Sequence, residues 1–216
     1  MARRVKEEPI IHQNRIAEQA MILFAKKGID NTKMDEIASL AGYSKATVYV
    51  YFKNKDDIIS FLALQSMIKL RTAIETAVLK EEDVKESFFK ICNSLVDYHR
   101  YYPDFFDMSL KHINVKSAEY NQWDSQTYKV GEEINQLLYQ YLEKGIKSGI
   151  FKNTDNSFET VFLMWGMISG VIALASEKEE YILLAGKITK ERFMQDGFEK
   201  IYSSICECRE FPFYQS

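Results

Sequence analysis

From Thr32 to Ile58 the chain reads TKMDEIASLAGYSKATVYVYFKNKDDI, and this stretch constrains the fold more than any other. Ile37, Ala38 and Ala41 lie on one face of a short helix that Gly42 closes. Thr32 stands at its N-cap, and Asp35 and Glu36 sit in the first turn, where the helix dipole favours negative charge. Only Gly42 and Tyr43 intervene before Ser44 can cap a second short helix, in which Val48 and Phe52 at i and i+4 mark the buried side. Asn54 then caps a long helix beginning Lys55-Asp56-Asp57 and running to about Leu79.

Ahead of this pair, HQNRIAEQAMILFAKKG places Ile16, Ala20, Leu23 and Phe24 on one face of a helix that Gly28 can end with a left-handed cap. Two short helices joined by a tight glycine turn and held on a longer one form the helix-turn-helix pattern. Ala38, Ala41 and Ala46 are small enough to let the short helices approach closely.

Helix periodicity continues through the rest of the chain, and strict alternation is nearly absent, so the fold class is all-α. After the charged break KEED, a helix runs to Tyr102, where Pro103 forces a bend into another from about Asp104 to His112. A long helix follows from about Ala118 to Ser148. Asn156, with Glu159 three residues on, starts an apolar helix to about Glu177. Thr189 opens the last helix, with Phe193, Phe198, Ile201 and Ile205 mostly at helical spacing. The expectation is nine helices in two domains, a helix-turn-helix domain over 1–58 and a larger helical domain over 59–216.

Composition narrows the function classes. With 46% apolar residues the chain can pack a core. Its longest apolar run, VFLMWGMISGVIALA, is 15 residues and falls short of the roughly 20 that span a bilayer, so a buried helix is expected and no membrane partner. An odd set of cysteines, Cys92, Cys206 and Cys208, and an amino-terminal Met-Ala-Arg-Arg-Val-Lys without the apolar core of a secretory signal point to the cytoplasm. There is no Gly-rich phosphate loop, zinc-type spacing or nucleophile motif, and Cys206-Glu-Cys208 offers too few ligands; no enzyme, metal or cofactor is expected. The net charge of −3 divides unevenly: residues 1–60 hold 10 Lys and Arg against 8 Asp and Glu, net +2, leaving −5 for the remainder.

With Val48 and Phe52 turned inward, Lys45, Ala46, Thr47, Tyr49 and Tyr51 include the residues left to face outward. A DNA major groove admits such a helix. Ala46 and Thr47 suit thymine methyls, Lys45 suits a guanine edge or a phosphate, and tyrosine hydroxyls suit phosphate oxygens. Lys53 and Lys55, near a helix N-terminus, suit phosphates, and Lys33 joins the DNA-facing set.

TKMDEIASLAGYSKATVYVYFKNKDDII resembles the DNA-binding signature of the TetR family of transcriptional repressors over roughly residues 12–62. The resemblance implies phosphate contacts from Thr32, Tyr49 and Lys55, groove contacts from Ser44, Lys45, Ala46, Thr47 and Tyr51, and core positions at Val48 and Phe52. Val50 stands where an aromatic is common and Tyr51 where histidine is frequent, so the operator's base preferences do not carry over.

The resemblance is weak beyond residue 62, though YYPDFFDMSL and LEKGIKSGIFKN look like recurring landmarks. It implies a variable helical domain that binds a small molecule and dimerises. Phe88, Phe89, Phe105, Phe106, Met108, Trp123, Tyr128, Trp165 and Met167 are more large side chains than a minimal bundle needs, and these or ordinary core are the two readings. The ligand-site candidates are Phe89, Phe105, Phe106, Met108, His112, Trp123, Tyr128 and Trp165, with His99 a second polar residue that orients a ligand or caps a carbonyl. Few cations lie among them, which suits a small hydrophobic effector. Gly166 and Gly170 form a small-xxx-small pair. The resemblance places their helix and the last one, with Phe198, Ile201 and Ile205, in a dimer interface; close packing within one chain is the alternative. The chain thus reads as a homodimeric, ligand-responsive repressor on pseudo-palindromic double-stranded DNA, the alternative being a DNA-binding adaptor or nucleoid-associated protein without an effector.

Overall fold

The computed structural model describes residues 7–110 and 121–207, and these form ten α-helices with a single isolated antiparallel bridge, Phe151 to Cys206. In chain order they are α1 (Pro9–Lys27), α2 (Met34–Ala41), α3 (Lys45–Tyr51), α4 (Lys55–Leu79), α5 (Val84–Tyr101), α6 (Pro103–Ser109), α7 (Gln122–Lys147), α8 (Ser157–Glu177), α9 (Glu179–Gly186) and α10 (Lys190–Ile205). The helix missing from the sequence reading is α9. Its only buried residue is Ile182, while Tyr181, Leu183 and Leu184 are exposed, so no single apolar stripe marks it.

Side-chain caps fix most helix starts by satisfying N–H groups that have no partner in the first turn. Ser44 Oγ accepts from the Thr47 N–H at 3.1 Å, Asn54 Oδ1 from Asp57 at 2.8 Å, and Asp83 from Glu86 at 2.8 Å. Asn156 and Thr189 do the same for Glu159 and Arg192, each at 3.2 Å. At α2 the expected cap is corrected by one residue. Lys33 is the N-cap, and the Glu36 carboxylate accepts its N–H at 2.8 Å. Thr32 is buried, and its hydroxyl donates to the Gly28 carbonyl at 2.8 Å. Gly42 ends α2 in the left-handed region (φ 73, ψ 26), whereas Gly28 combines φ 83 with ψ 158, a conformation that only glycine adopts readily.

The chain divides into two compact units, and α4 and α7 each contribute residues to both. The first extends past residue 58 to Gln65 and takes in a later segment that ends at Tyr128. Within it α1, α2 and α3 pack on one another, with Ile16, Ala20, Ile37, Ala38, Val48 and Phe52 buried. Phe52, Phe61 and Trp123 form an aromatic cluster, the Phe61 and Trp123 rings meeting edge to face at 5.1 Å. Asn121 caps α7 here, its Oδ1 accepting from the N–H groups of Trp123 and Asp124, while its Nδ2 donates to Ser60 Oγ at 3.1 Å.

In the second unit α8 packs on α5, α9 and α10. By length and composition α8 could cross a membrane, but in this fold Val161, Met164, Ile168, Ile172 and Ala175 are buried along one edge. Two glycines permit close approach. A Cβ at Gly197 would lie 2.9 Å from Val171 Cγ1, and one at Gly145 would lie 2.0 Å from a ring carbon of Phe151. The landmark LEKGIKSGIFKN thereby acquires a physical account. Gly149 turns the chain at φ 70, and Phe151 folds its ring onto Gly145 while Lys152 N–H donates to Ile205 O at 3.0 Å and Glu207 N–H to Ile150 O at 2.8 Å.

Candidate functional site

The short α3 is anchored by Val48 and Phe52, both fully buried, and this fixes what its other face presents. Lys45, Ala46, Tyr49 and Val50 are exposed, while Thr47 and Tyr51 are half-buried. Ser44 caps the helix, and its hydroxyl also shares a hydrogen bond with Thr47 Oγ1 at 2.8 Å, which holds both hydroxyls at the helix start. Lys45 Nζ lies 2.7 Å from Asp35 Oδ1. That hydrogen bond, with the charge of Asp35, raises the Lys45 pKa, so the ammonium stays charged. Both partners are more than half exposed, and a pair so wetted contributes little to stability. Its geometric effect is to orient the lysine along the outer surface between α2 and α3.

Two of the expected phosphate contacts, Thr32 and Lys55, are engaged by the chain itself. Thr32 is 1% exposed with its hydroxyl and N–H both engaged by the chain, at Gly28 O and Ile29 O, which removes it from the outer surface. Lys55 donates from Nζ to the carbonyls of Ile29 and Asp30 at 2.7 and 3.2 Å. It ties the start of α4 to the loop after α1, with one ammonium proton left over for another acceptor. Tyr49 is exposed and keeps the position the sequence implies. Lys33 and Lys53 are exposed as well, the backbone N–H of Lys53 donating to Asp57 Oδ2 at 2.9 Å.

The sequence reading missed the neighbours that hold this surface. His12, on α1, stacks on the Tyr51 ring at 5.4 Å between centroids and bonds Tyr43 Oη through Nδ1 at 2.7 Å. Arg15 reaches the same hydroxyl at 3.4 Å and binds Glu7 through both terminal nitrogens at 2.8 and 3.0 Å. Their signal was the one-turn repeat His12 to Arg15 on the polar side of α1, which helical periodicity alone does not separate from ordinary solvated surface. Val50, which stands where the family commonly has an aromatic, is exposed.

The ligand-site candidates scatter. Trp123 packs with Phe52 and Phe61 in the first unit, where Tyr128 also lies, exposed. Phe106 is buried beside Tyr98 and His99, Phe105 is half-buried, and Met108 is exposed. Phe89 joins Phe88 and Tyr202 in a ring cluster beneath Lys85. His112 lies outside the described residues. His99 is edge-on to Phe106 at 4.9 Å, and burial, then the charge of Lys190, holds its pKa below the ordinary imidazole value.

The second unit does contain an apolar cavity, of about 10 Å³, lined by Ile74, Ile91, Leu95, Leu138, Val161, Met164, Trp165 and Ile168. Of the expected residues only Trp165 is there. Aliphatic side chains form most of the wall, and the sequence reading had favoured aromatics. Among the described residues no group of three or more His, Cys, Asp or Glu is placed to hold a metal.

The expected interface residues also divide. Phe198 and Ile201 are buried within their own unit and Ile205 is half-buried, so α10 turns its apolar side inward. Gly166 and Gly170 are exposed, and among the described residues a Cβ on either would meet nothing within 4 Å, whereas Gly197 lies against Val171. Around the two glycines Phe158, Phe162, Leu163, Met167 and Leu174 are exposed, leaving a second apolar face on α8.

Comparison with known proteins agrees with this geometry. The family model described as bacterial regulatory proteins, tetR family, matches residues 16–60. The chain is 30% identical over 155 residues to the uncharacterized HTH-type transcriptional regulator YhgD of Bacillus subtilis (strain 168), covering 69% of this chain and 76% of that protein. It is 37% identical over 60 residues to the HTH-type transcriptional regulator AcrR of Shigella flexneri, a match that spans only 28% of either chain. Among solved structures, a protein of unknown function from Rhodococcus sp. RHA1 superposes with a TM-score of 0.73 at 15% identity, covering 96% of this chain and 100% of that one. The regulator FadR from Bacillus subtilis, in complex with stearoyl-CoA, superposes at 0.64 with 18% identity, covering 89% and 98%. At these identities the structural likeness is one of fold.

Proposed function

This chain belongs to the tetR family of bacterial regulatory proteins, and on that premise we propose that it is a homodimeric cytoplasmic repressor released from a pseudo-palindromic operator by a small hydrophobic effector. The observation that carries this reading is α3: Val48 and Phe52 secure one side, and Lys45, Ala46, Tyr49 and Val50 occupy the other. Each subunit places that outer face in a major groove. Two such helices engage half-sites whose centres lie about 34–36 Å apart along the duplex. Lys33, Lys53 and Tyr49 bind phosphates and set the register, and the α3 side chains read base edges.

Dimerisation is supported by α8, which is apolar on two sides while its own chain buries one. A helix apolar all round is covered all round. The second face, with Gly166 and Gly170 between Phe162, Met167 and Leu174, suits a second copy of the same helix, whose backbone the glycines admit closely. The sequence reading of this interface is narrowed accordingly to α8, without Phe198 and Ile201.

Effector binding is supported by the cavity wall, which is apolar and carries no charged side chain. A hydrocarbon chain or ring suits it, and FadR of the same fold is known with stearoyl-CoA. At about 10 Å³ the cavity holds at most about one water, whereas small-molecule sites enclose roughly 300 Å³ or more, so an effector must part the helices that line it. A conformation so opened has a different spacing of its two α3 helices, and linkage requires DNA and effector to weaken each other equally. The small cavity is also what favours the second reading, a DNA-binding protein without an effector. Thermal unfolding against a library of hydrophobic compounds separates the two: a sensor gains Tm with some compound and is released from DNA by it, and an adaptor gains nothing. Sedimentation equilibrium tests the dimer. A monomer at micromolar concentration and on DNA would refute the two-groove arrangement.

A further inference from the structure

Val50 is the most exposed large apolar side chain in the described structure, at 78%, and it stands on the helix that the fold presents to DNA. Water-exposed valine is unremarkable on an ordinary surface. Here its setting is specific. Val50 follows Ala46 by four residues, so the two share one strip of α3, and Ala46 is also exposed. Lys45 and Tyr49, each one residue earlier, form a parallel polar strip, and the lysine is oriented by Asp35. The outer face of α3 therefore carries an apolar strip beside a hydrogen-bonding one.

An apolar strip has no donor or acceptor to offer a base edge. Among the four unmodified bases just one feature of the major groove rewards it, the C5-methyl group of thymine. The strip is also stiff, because valine in a helix is held almost entirely in one rotamer and alanine has none to choose. A fixed methyl cluster discriminates by shape as well as by removal from water. We propose that Val50, with Ala46 beside it, is a specificity-determining residue that reads a thymine methyl in each half-site. This rests on the reading of α3 as the groove-binding helix and adds to it the base feature that is read. It also assigns a role to the one α3 position where the sequence departs from the aromatic common in the family.

The test uses the full-length protein and synthetic duplexes. A random double-stranded library is enriched on the protein, and the selected duplex is resynthesised with uracil replacing thymine at one position at a time, which deletes only the methyl. Binding of each duplex is measured for the natural protein and for Val50→Ala, a change at an exposed position to a better helix former, so the fold is kept. At one thymine per half-site the natural protein should lose roughly fourfold for each methyl removed, the equivalent of ~0.8 kcal/mol. Val50→Ala should bind the thymine and uracil forms of that duplex with a ratio near one. If Val50→Ala keeps the natural protein's thymine-to-uracil ratio at every position, or if the natural protein is indifferent to every replacement, the inference is overturned while groove binding by α3 stands. If no duplex is enriched at all, the reading of α3 fails and this inference with it.

Discussion

Replacing Gly145 with alanine offers a sharp test of how the second unit is packed, because two effects of opposite sign compete there. On helix propensity alone the substitution in α7 should stabilise by ~1 kcal/mol. The structure reverses the sign. The new Cβ would lie 2.0, 2.3 and 2.7 Å from three ring carbons of Phe151, where carbon atoms in contact ordinarily sit roughly 3.5–4.0 Å apart. Relief requires the ring to move by more than ~1 Å, and it has little room. Phe151 is 2% exposed, edge-on to Tyr141 at 5.4 Å and Tyr202 at 5.8 Å, with its N–H bonded to Gly145 O at 3.1 Å. Overpacking of this kind costs about 1–3 kcal/mol, and expelling the ring would approach the ~3–5 kcal/mol of deleting a buried phenylalanine. Since the ring has little room to shift, expulsion is the expected outcome, and after the propensity gain it leaves a net loss of about 2–4 kcal/mol. At ~2–4 °C per kcal/mol for a chain of this size, Tm should fall by about 5–15 °C in a calorimetric melt. Phe151→Leu in the Gly145→Ala background should recover part of the loss, making the pair non-additive. A Tm equal to or above that of the natural protein, or strict additivity in the double variant, would refute the packing argument.

Two further outcomes follow from local geometry. Ser44→Ala removes the cap of α3 and the partner of the Thr47 hydroxyl, so stability should fall by ~1 kcal/mol in denaturant unfolding, with DNA affinity falling alongside it; unchanged values would deny the cap its role. For His99, burial and then Lys190 hold the folded pKa below the ordinary ~6.5, so on acidification the unfolded chain takes up its proton first. The stability His99 contributes is present above that value and is lost as pH falls through the lower folded one. His99→Phe should therefore lose less Tm between pH 7.5 and 5.5 than the natural protein, and an equal loss in both would contradict the assignment.

The helix-turn-helix was legible in the sequence because its physics is local. Val48 and Phe52 at helical spacing, Ser44 and Asn54 at cap positions and Gly42 at a left-handed turn each act within a few residues, and each stands where the spacing places it. What the spacing did not show was the set of partners each side chain takes in the fold, some of them distant in the chain. Trp123 belongs with Phe52 and Phe61, some 60 to 70 residues earlier in the chain, and no periodicity within α7 reveals that. Thr32 and Lys55 have the residue types of DNA contacts, yet the backbone carbonyls of Gly28, Ile29 and Asp30 engage them first. The glycines of α8 were visible as a pair, but only the structure shows open space around them and the close approach made at Gly197 instead. The cavity escaped because its wall is built from aliphatic residues of four helices, the commonest core residues there are.

The central claim is that the outer face of α3 binds DNA, and the salt dependence of affinity for a selected operator tests it most directly. Lys45 and Tyr49 are both exposed on that face, so Lys45→Ala with Tyr49→Phe should leave Tm within about 2–4 °C of the natural protein, since surface changes of this kind each move stability by no more than ~0.5 kcal/mol. The account predicts that the double variant binds the operator at least tenfold more weakly at moderate salt. It also predicts that the slope of log affinity against log salt becomes shallower, by up to about one, because the variant removes the Lys45 cation from the polyanion's surface. An unchanged affinity together with an unchanged slope, in a variant that folds normally, would contradict it.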